Sequence, residues 1–341
     1  MFKTIKLRKK IVRIVSLILL TLGAIAVMMP LAWMLLSSFK SPAQGNKMPP
    51  EWLPKKAEEA IINDQEYYLY EMPVDGTIKK LALIEKNGPI GTFVNPENPA
   101  ETYELRITDG ERAMQIYVSW DNYVKALTMV PFGKYLVNTM IIVVFATLGT
   151  VISSVMVAYG FSRFKVKSFK WLFLILLGTI MLPTQVTLIP TFILFRYIGW
   201  YDTLLPLIVP AFFANAWDVF LFRQFFMSIP LELDDAARID GANPLQILWY
   251  VILPQSKPVI ITVTIFSILY AWNDFFNPLI YLQSEKNWTI SLGLQMFNAI
   301  YRNNDAYLLA ASVVTLIPIV ILYFIAQRYF IQGVVVSGVK G

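Results

Sequence analysis

The chain has neither cysteine nor histidine among its 341 residues. The lack of cysteine excludes disulfides, thiolate catalysis and cysteine metal sites. The lack of histidine removes the commonest proton relay near neutral pH and a principal zinc ligand. Proton-relay and metal-hydrolase sites therefore lack their usual residues, and we expect no metal site.

Charged residues are also scarce. They make up 15% of the chain, against 56% hydrophobic residues, and the mean hydropathy is +0.55. This composition is too apolar for a soluble domain, and six apolar runs reach the roughly 20 residues needed to span a bilayer. We predict an all-α polytopic membrane protein with six transmembrane helices, at about 12–36, 135–161, 171–195, 204–226, 258–282 and 307–330.

Positive charge is concentrated before the first run and between the second and third, in residues 3–13 and 163–170. The positive-inside rule places both in the cytoplasm, and counting spans from there places residues 229–254 and both termini in the cytoplasm too. The basic start and apolar run resemble a signal peptide, but the run is too long and no small-residue cleavage site follows it, so we expect a retained helix. Because orientation accounts for the net charge of +6, we expect no nucleic-acid partner.

Residues 41–121 form the one hydrophilic insertion, between the first two spans, and the same count places it outside the membrane. Its alternating runs, with turn signals at Asp75-Gly76, Asn87-Gly88 and Asp109-Gly110, predict a small antiparallel module of four or five strands. Proline-rich stretches at 49–50 and 95–99 predict a linker and a loop. Two roles stay open: a cap on the membrane domain, or a dock for a substrate-binding protein. We divide the chain into residues 1–40, the insertion, and a membrane core of five spans at 122–341.

The most informative polar segment is residues 229–254, IPLELDDAARIDGANPLQILWYVILP. Pro230 opens a first helix whose early turns carry acidic residues, as the helix dipole favours. Gly241 stops that helix, and Asn243 with Gln246 caps the next. The pattern predicts two short helices joined at a glycine.

This segment resembles the signature of ABC-importer permeases, in which Glu-Ala-Ala is followed by glycine and an Ile-x-Leu-Pro ending. Here Asp235-Ala236-Ala237, Gly241 and Ile252-Leu253-Pro254 keep the order and spacing, with aspartate in place of glutamate. The longer match is similar to the carbohydrate-uptake, maltose-type branch, and it extends over nearly all of the chain outside the insertion. The insertion itself departs from that pattern.

The resemblance implies a permease subunit of an ATP-driven importer in a bacterial or archaeal inner membrane. Such a subunit is not an enzyme: we expect no catalytic residues and no cofactor in it, and a separate ATPase subunit hydrolyses ATP. Its implied partners are a second permease subunit, a cytoplasmic ATPase dimer, an extracytoplasmic substrate-binding protein and a sugar. Loop 229–257 would meet the ATPase. The expected coupling residues are Glu232, Asp235, Ala236, Ala237, Arg238, Asp240, Gly241 and Pro254.

The glycine-rich tail 333–341 resembles the ending of maltose-type permeases, which implies that Gly338 and Lys340 contact the ATPases. A frayed terminus is the alternative. The tail is not a phosphate-binding loop, because Lys340 does not follow Gly338 directly and no Ser or Thr follows the lysine.

Polar groups inside a membrane are costly and are candidates for function. Trp272, Asn273, Asp274 and Asn277, in the second half of the fifth predicted span, combine an aromatic ring with amides and a carboxylate, which suits sugar binding. Hydrogen bonding between helices is the alternative. Asp218, in the fourth span, is expected to pair with a group of the partner subunit.

The expected substrate is an oligosaccharide, with a polyol or a sugar phosphate as alternatives. A stand-alone secondary transporter is less favoured, because no internal repeat is evident and a cytoplasmic docking segment would have no use. A membrane-anchored sensor would need only one span.

Overall fold

The computed structural model describes residues 2–41, 44, 51–300 and 305–338. It divides into two compact units, one of Met1–Ala126 with Ile300–Val314 and the other of Leu127–Ala299 with Thr315–Gly341. The first unit begins with helix α1, Phe2–Ser38. The insertion then forms strands β1 Lys55–Ala57, β2 Glu59–Ile62, β3 Gln65–Val74, β4 Thr77–Asn87, β5 Ile90–Asn95, β6 Asn98–Arg106, β7 Glu111–Arg112 and β8 Met114–Ile116.

The insertion is an antiparallel β module, as predicted, but it has more strands than the four or five expected. Strands β2 to β6 form a meander in chain order, β7 adds to β3, and β1 pairs with β8. The extra strands, β1, β7 and β8, are two or three residues long and too short to show alternation in the sequence. The turns at Asp75-Gly76 and Asn87-Gly88 are confirmed, each with a glycine in the left-handed region.

The third predicted turn and the predicted loop of the insertion also fall at junctions between strands. Gly110 is extended, with φ −135°, and follows a single 3-10 turn, Ile107–Asp109. The proline-rich stretch at 95–99, predicted as a loop, closes the tight hairpin between β5 and β6.

The central sheet is buried on both faces. Leu69 and Tyr70 are neighbours on β3, so they point to opposite sides. Leu69 packs in a cluster with Ile62 and Val94, and Tyr70 packs with Phe93. The insertion therefore has its own hydrophobic core.

The two ends of the insertion lie close together and are joined by hydrogen bonds. The Asn122 side-chain amide donates to the carbonyl oxygens of Ser38 and Lys40, both at 2.8 Å. The hydroxyls of Ser38 and Tyr123 lie 2.7 Å apart. Because its two ends are tied together, the β module can extend from the end of α1 without separating the helices on either side of it.

Helices dominate the rest of the chain. They are α2 Asp121–Thr128, α3 Phe132–Arg163, α4 Phe169–Ile180, α5 Thr184–Tyr197, α6 Leu205–Ile208, α7 Ala216–Met227, α8 Leu231–Ile239, α9 Pro244–Ile247, α10 Leu253–Gln255, α11 Lys257–Asn273, α12 Phe276–Tyr281, α13 Ile290–Ile300 and α14 Asp305–Gly338. A 3-10 turn, Val209–Phe213, joins α6 to α7, and a π turn, Leu248–Ile252, joins α9 to α10.

Four helical stretches in the described residues are long and apolar enough to cross a bilayer, namely Lys9–Ser38, Phe132–Arg163, Leu205–Met227 and Asp305–Gln327. Counting two bent pairs as spans raises the number to six. The predicted third span is one of these pairs, since α4 and α5 meet at 97°. Pro183 accounts for the break, because its own backbone is extended and it disfavours helix in the residue before it.

Candidate functional site

Residues 229–254, hereafter the coupling segment, form the predicted pair of helices joined at a glycine. Helix α8 ends at Ile239, and Gly241 takes φ +83° with open space where a Cβ would be. Glycine is thus needed there for its left-handed backbone, since no neighbour crowds the position. The predicted cap is confirmed: Asn243 and Gln246 form a reciprocal capping box at the start of α9.

One face of the coupling segment packs tightly against the long helices. Ile229, Leu248 and Ile252 are buried in a cluster with Tyr159 of α3 and Phe222 of α7. Burial of this kind stabilises by about 1.5–3 kcal/mol per large apolar side chain. The segment is therefore fixed to the ends of α3 and α7.

The opposite face is exposed and carries most of the predicted coupling residues. Glu232, Asp235, Ala236, Arg238, Asp240, Gly241 and Pro254 are exposed, whereas Ala237 is partly buried and packs against the cluster. Large apolar side chains also point outward: Leu231, Leu233 and Leu245 are each at least 40% exposed, and Ile239 is 87% exposed. Apolar groups rimmed by charges in this way are typical of a protein-docking surface.

A buried ion pair joins the coupling segment to α3. Arg163 Nε lies 3.1 Å from Asp234 Oδ2, and both side chains are almost fully buried. The Arg163 guanidinium also donates to the carbonyl oxygen of Ile229 through Nη2, at 3.1 Å. One arginine at the end of α3 thus holds both the entry of the coupling segment and its first helix.

Burying the two charges of this pair is costly, and the attraction between them offsets part of that cost. Burial raises the pKa of the Asp234 carboxyl, and the Arg163 guanidinium opposes that rise. Breaking a buried pair by removing one partner costs about 3–5 kcal/mol, because the other charge is left uncompensated. The neighbouring pair of Asp235 and Arg238, at 3.3 Å, is exposed and far weaker.

The sequence did not distinguish Asp234 from Asp235. Both are acidic residues early in a short helix. Arg163 is one of several basic residues at 163–170 that were interpreted only as an indication of membrane orientation. The available signal was helical spacing: Asp234 and Ala237 are three residues apart and share the inward face of α8.

A cavity of about 600 Å³ lies between the helices of the second unit. Segments from α3, α5, α7 and α11 contribute to its wall. Asp218, Asp274 and Asn277 supply polar groups, as do residues such as Thr191 and Ser267, and the rest of the wall is aliphatic and aromatic. A largely apolar pocket with a few convergent polar groups is the usual form of a small-molecule site.

The structure separates the four predicted path residues into two pairs. Asp274 and Asn277 line the cavity, and Asp274 accepts hydrogen bonds from the backbone and side-chain nitrogens of Asn277 at 3.2 and 2.9 Å. Trp272 is buried and Asn273 is exposed, and neither lines the cavity. The Asn273 amide instead donates to the carbonyl of Leu269 on its own helix.

A second polar node, not found from the sequence, joins the loops after α5 and α12. Asp202 accepts hydrogen bonds from the backbone N–H groups of Gln283 and Ser284 at 2.9 and 2.8 Å, and from the Ser284 hydroxyl and the Asn287 amide. Partial burial acts in the other direction, but these hydrogen bonds lower the pKa of Asp202 to about 2. Its left-handed backbone, φ +58°, is one that Asp and Asn tolerate.

The predicted tail 333–341 lies only partly within the described residues. Helix α14 continues to Gly338, so most of the predicted tail 333–341 is helical. Lys340 lies outside the described residues.

We predict that Asp234→Asn lowers the free energy of unfolding by about 3–5 kcal/mol, because the Arg163 charge then has no buried counter-charge. The matched control Asp235→Asn should change it by less than about 1 kcal/mol. Thermal unfolding of the purified protein measures both. Replacing the two partners together, with Arg163→Met and Asp234→Leu, should recover most of the loss, and equal effects of the two single Asn variants would contradict the assignment.

We predict that Asp202→Asn increases hydrogen exchange at the Gln283 and Ser284 amides, with Asp64→Asn, at another left-handed position, as the control. The pKa of Asp202 is lowered on folding, so its stabilisation is complete above about pH 4 and is lost as the pH falls towards 2. Exchange rates corrected for the intrinsic effect of pH should show this decline. Protection that is the same in both variants and at every pH would rule out the role of the carboxylate.

Comparison with known proteins places this arrangement in a family. A family model described as "Binding-protein-dependent transport system inner membrane component" matches residues 149–336. The chain is 32% identical over 234 residues, 68% of this chain and 78% of the relative, to a probable ABC transporter permease protein, YurM, of Bacillus subtilis. It is 38% identical over 210 residues, 62% of this chain and 74% of the relative, to the arabinooligosaccharides transport system permease protein AraQ of Halalkalibacterium halodurans.

A third relative is the sn-glycerol-3-phosphate transport system permease protein UgpE of Yersinia pestis, 32% identical over 61% of this chain and 74% of its own. Among solved structures, a bacterial ABC transporter for import of the acidic polysaccharide alginate matches 94% of this chain and 97% of its own, with TM-score 0.67 and 23% identity. At that identity the match concerns the fold alone. The resemblance to ABC-importer permeases is confirmed. Because the family model covers more than half of the sequence, the chain belongs to the family of binding-protein-dependent transport system inner membrane components.

Proposed function

We propose that this chain is a transmembrane subunit of an ATP-driven importer for an oligosaccharide. The observation that carries the proposal is the coupling segment, which is fixed to the long helices on one face and offers charged and apolar groups on the other. The relative named as an arabinooligosaccharide permease supports the substrate class. The relative named as a glycerol-3-phosphate permease keeps a phosphorylated substrate as the second candidate.

The exposed face of the coupling segment would sit in a cleft of a cytoplasmic ATPase subunit. Ile239, with Leu231 and Leu245, supplies apolar contact, and Asp235 and Arg238 supply a charged rim. This chain would transmit the energy of ATP, and the ATPase would hydrolyse it. Gly241 lets the chain turn between the two docking helices.

Movement of the ATPase would reach the membrane through the packed face. When two ATPases close on ATP, the coupling segment would move as one body with the ends of α3 and α7, because Arg163 and the apolar cluster join them. The helices would then change from an inward-open to an outward-open arrangement. Hydrolysis would reset the starting state.

Four partners complete the proposed assembly: a second permease subunit, an ATPase dimer, an extracytoplasmic substrate-binding protein and the sugar. A solved alginate transporter of similar fold is in complex with a pentasaccharide-bound periplasmic protein, which supports the third partner. The proposed topology has six spans, with both termini and the coupling segment in the cytoplasm and the insertion outside. The basic residues at 163–170 support this orientation.

We predict that a cysteine at the exposed Ala236 crosslinks to one placed in the docking cleft of the cognate ATPase, and that the yield changes with ATP. The natural chain has no cysteine, so each introduced thiol is unique in it. The control is Glu97→Cys, an exposed site in the hairpin between β5 and β6, which should not crosslink because the insertion lies outside.

Absence of a crosslink at Ala236→Cys, in an assembly that contains both proteins, would remove the docking role. A crosslink at Glu97→Cys would reverse the proposed topology. ATP-dependent uptake of a labelled arabino-oligosaccharide into vesicles, with the substrate-binding protein present, tests the transport itself.

A further inference from the structure

The carboxylate of Asp218 lies in the wall of the cavity with no partner in the described part of the chain. Its residue is 8% exposed, and no hydrogen bond or ion pair joins the side chain to a described group. Asn215 caps the same helix by accepting from the Trp217 N–H, so Asp218 is not needed as the cap. A buried carboxylate without a partner is costly, and this cost is relieved when a ligand or a group of another subunit donates hydrogen bonds to it.

The rest of the wall fits one kind of ligand. Asp274 supplies a second carboxylate and Asn277 an amide, while no lysine or arginine is among the described residues that line the cavity. The aromatic part of the wall comprises Phe195, Trp217, Phe266, Tyr270 and Tyr281. Aromatic rings pack on the apolar faces of a ligand, and ionised carboxylates accept hydrogen bonds from hydroxyl groups.

The two carboxylates make the electrostatic potential in the cavity negative, because no lysine or arginine is among the described residues that line it. A cavity lined by one sign of charge, with low-dielectric walls, concentrates that field and repels ligands of the same sign. A uronic acid or a phosphate would meet this field without any described cation to neutralise it. A neutral sugar carries no charge for this field to repel, and its hydroxyls can donate to the carboxylates.

On the basis of the proposed function, we infer that this cavity admits neutral oligosaccharides and rejects acidic glycans and sugar phosphates, with Asp218 and Asp274 as the residues that discriminate. The inference separates this chain from two of its likenesses. The relative named for glycerol-3-phosphate and the structure described for alginate handle anions.

The test uses the complete importer in membranes, with Ser267→Cys as the probe position. Ser267 lines the cavity about two helical turns before Asp274, and the natural chain has no competing thiol. The thiol is reacted at pH 8 with a cationic and an anionic methanethiosulfonate reagent, and each rate is divided by that for a free thiol. We expect the cationic reagent to be favoured about tenfold, as two nearby carboxylates in a medium of intermediate dielectric would produce.

Adding Asp218→Asn should lower this preference to about threefold, and Asp274→Asn should lower it similarly. Asp64→Asn, which removes an exposed carboxylate outside the cavity, should leave it unchanged. If an Asn variant fails to assemble, the preference measured in the Ser267→Cys importer alone still decides. A ratio near one, or a preference for the anionic reagent, would overturn the inference, since a group of the partner subunit would then neutralise Asp218.

Ligand protection tests the chemistry directly. Arabinotetraose should slow labelling of the Ser267→Cys thiol at least fivefold, whereas tetragalacturonate should not. ATP-dependent uptake of tetragalacturonate by the same vesicles would overturn the inference and leave the importer function standing. A cationic preference with arabinotetraose protection, but no ATP-dependent uptake of any sugar, would support the inference and count against the proposed function.

Discussion

The buried ion pair between Arg163 and Asp234 joins two parts of the chain that packing alone would hold less firmly. Asp234 lies on a helix of nine residues, too short to be stable by itself in water. The apolar cluster under that helix fixes its position, and the ion pair fixes its register against α3. Since either charge alone would be costly in that place, the coupling segment and α3 are held as one body.

The two faces of the coupling segment differ in burial and in chemistry. The inward face is apolar with one neutralised pair, and the outward face keeps its charges and Ile239 in contact with solvent. In the proposed importer, a force applied to the outward face would reach the cavity through α3 and α7, whose residues also line it. At the other end of these helices, Asp202 ties together two loops through four hydrogen-bonding groups.

Local patterns in the sequence predicted local structure well. The cap at Asn243, the turn at Gly241 and the hairpin glycines follow from rules that involve only a few neighbouring residues. The break between α4 and α5 likewise follows from a local cause, the proline at 183. The short strands β7 and β8 were missed, because tertiary packing decides them. The roles of Asp234, Asp202 and Trp272 depend on which side of a helix or loop faces a distant segment, so composition and spacing could not separate them from their neighbours.

The most direct test of rigid coupling is the distance between two spin labels, one at Ala236→Cys on the coupling segment and one at Lys165→Cys just beyond α3. Both positions are exposed, and the natural chain has no other thiol. Pulsed electron paramagnetic resonance on the assembled importer should give the same narrow distance distribution with and without ATP, and Asp234→Asn should broaden it. A shift of several Å in the unaltered background on ATP binding would contradict the account, because the coupling segment would then move independently of the helix it is proposed to drive.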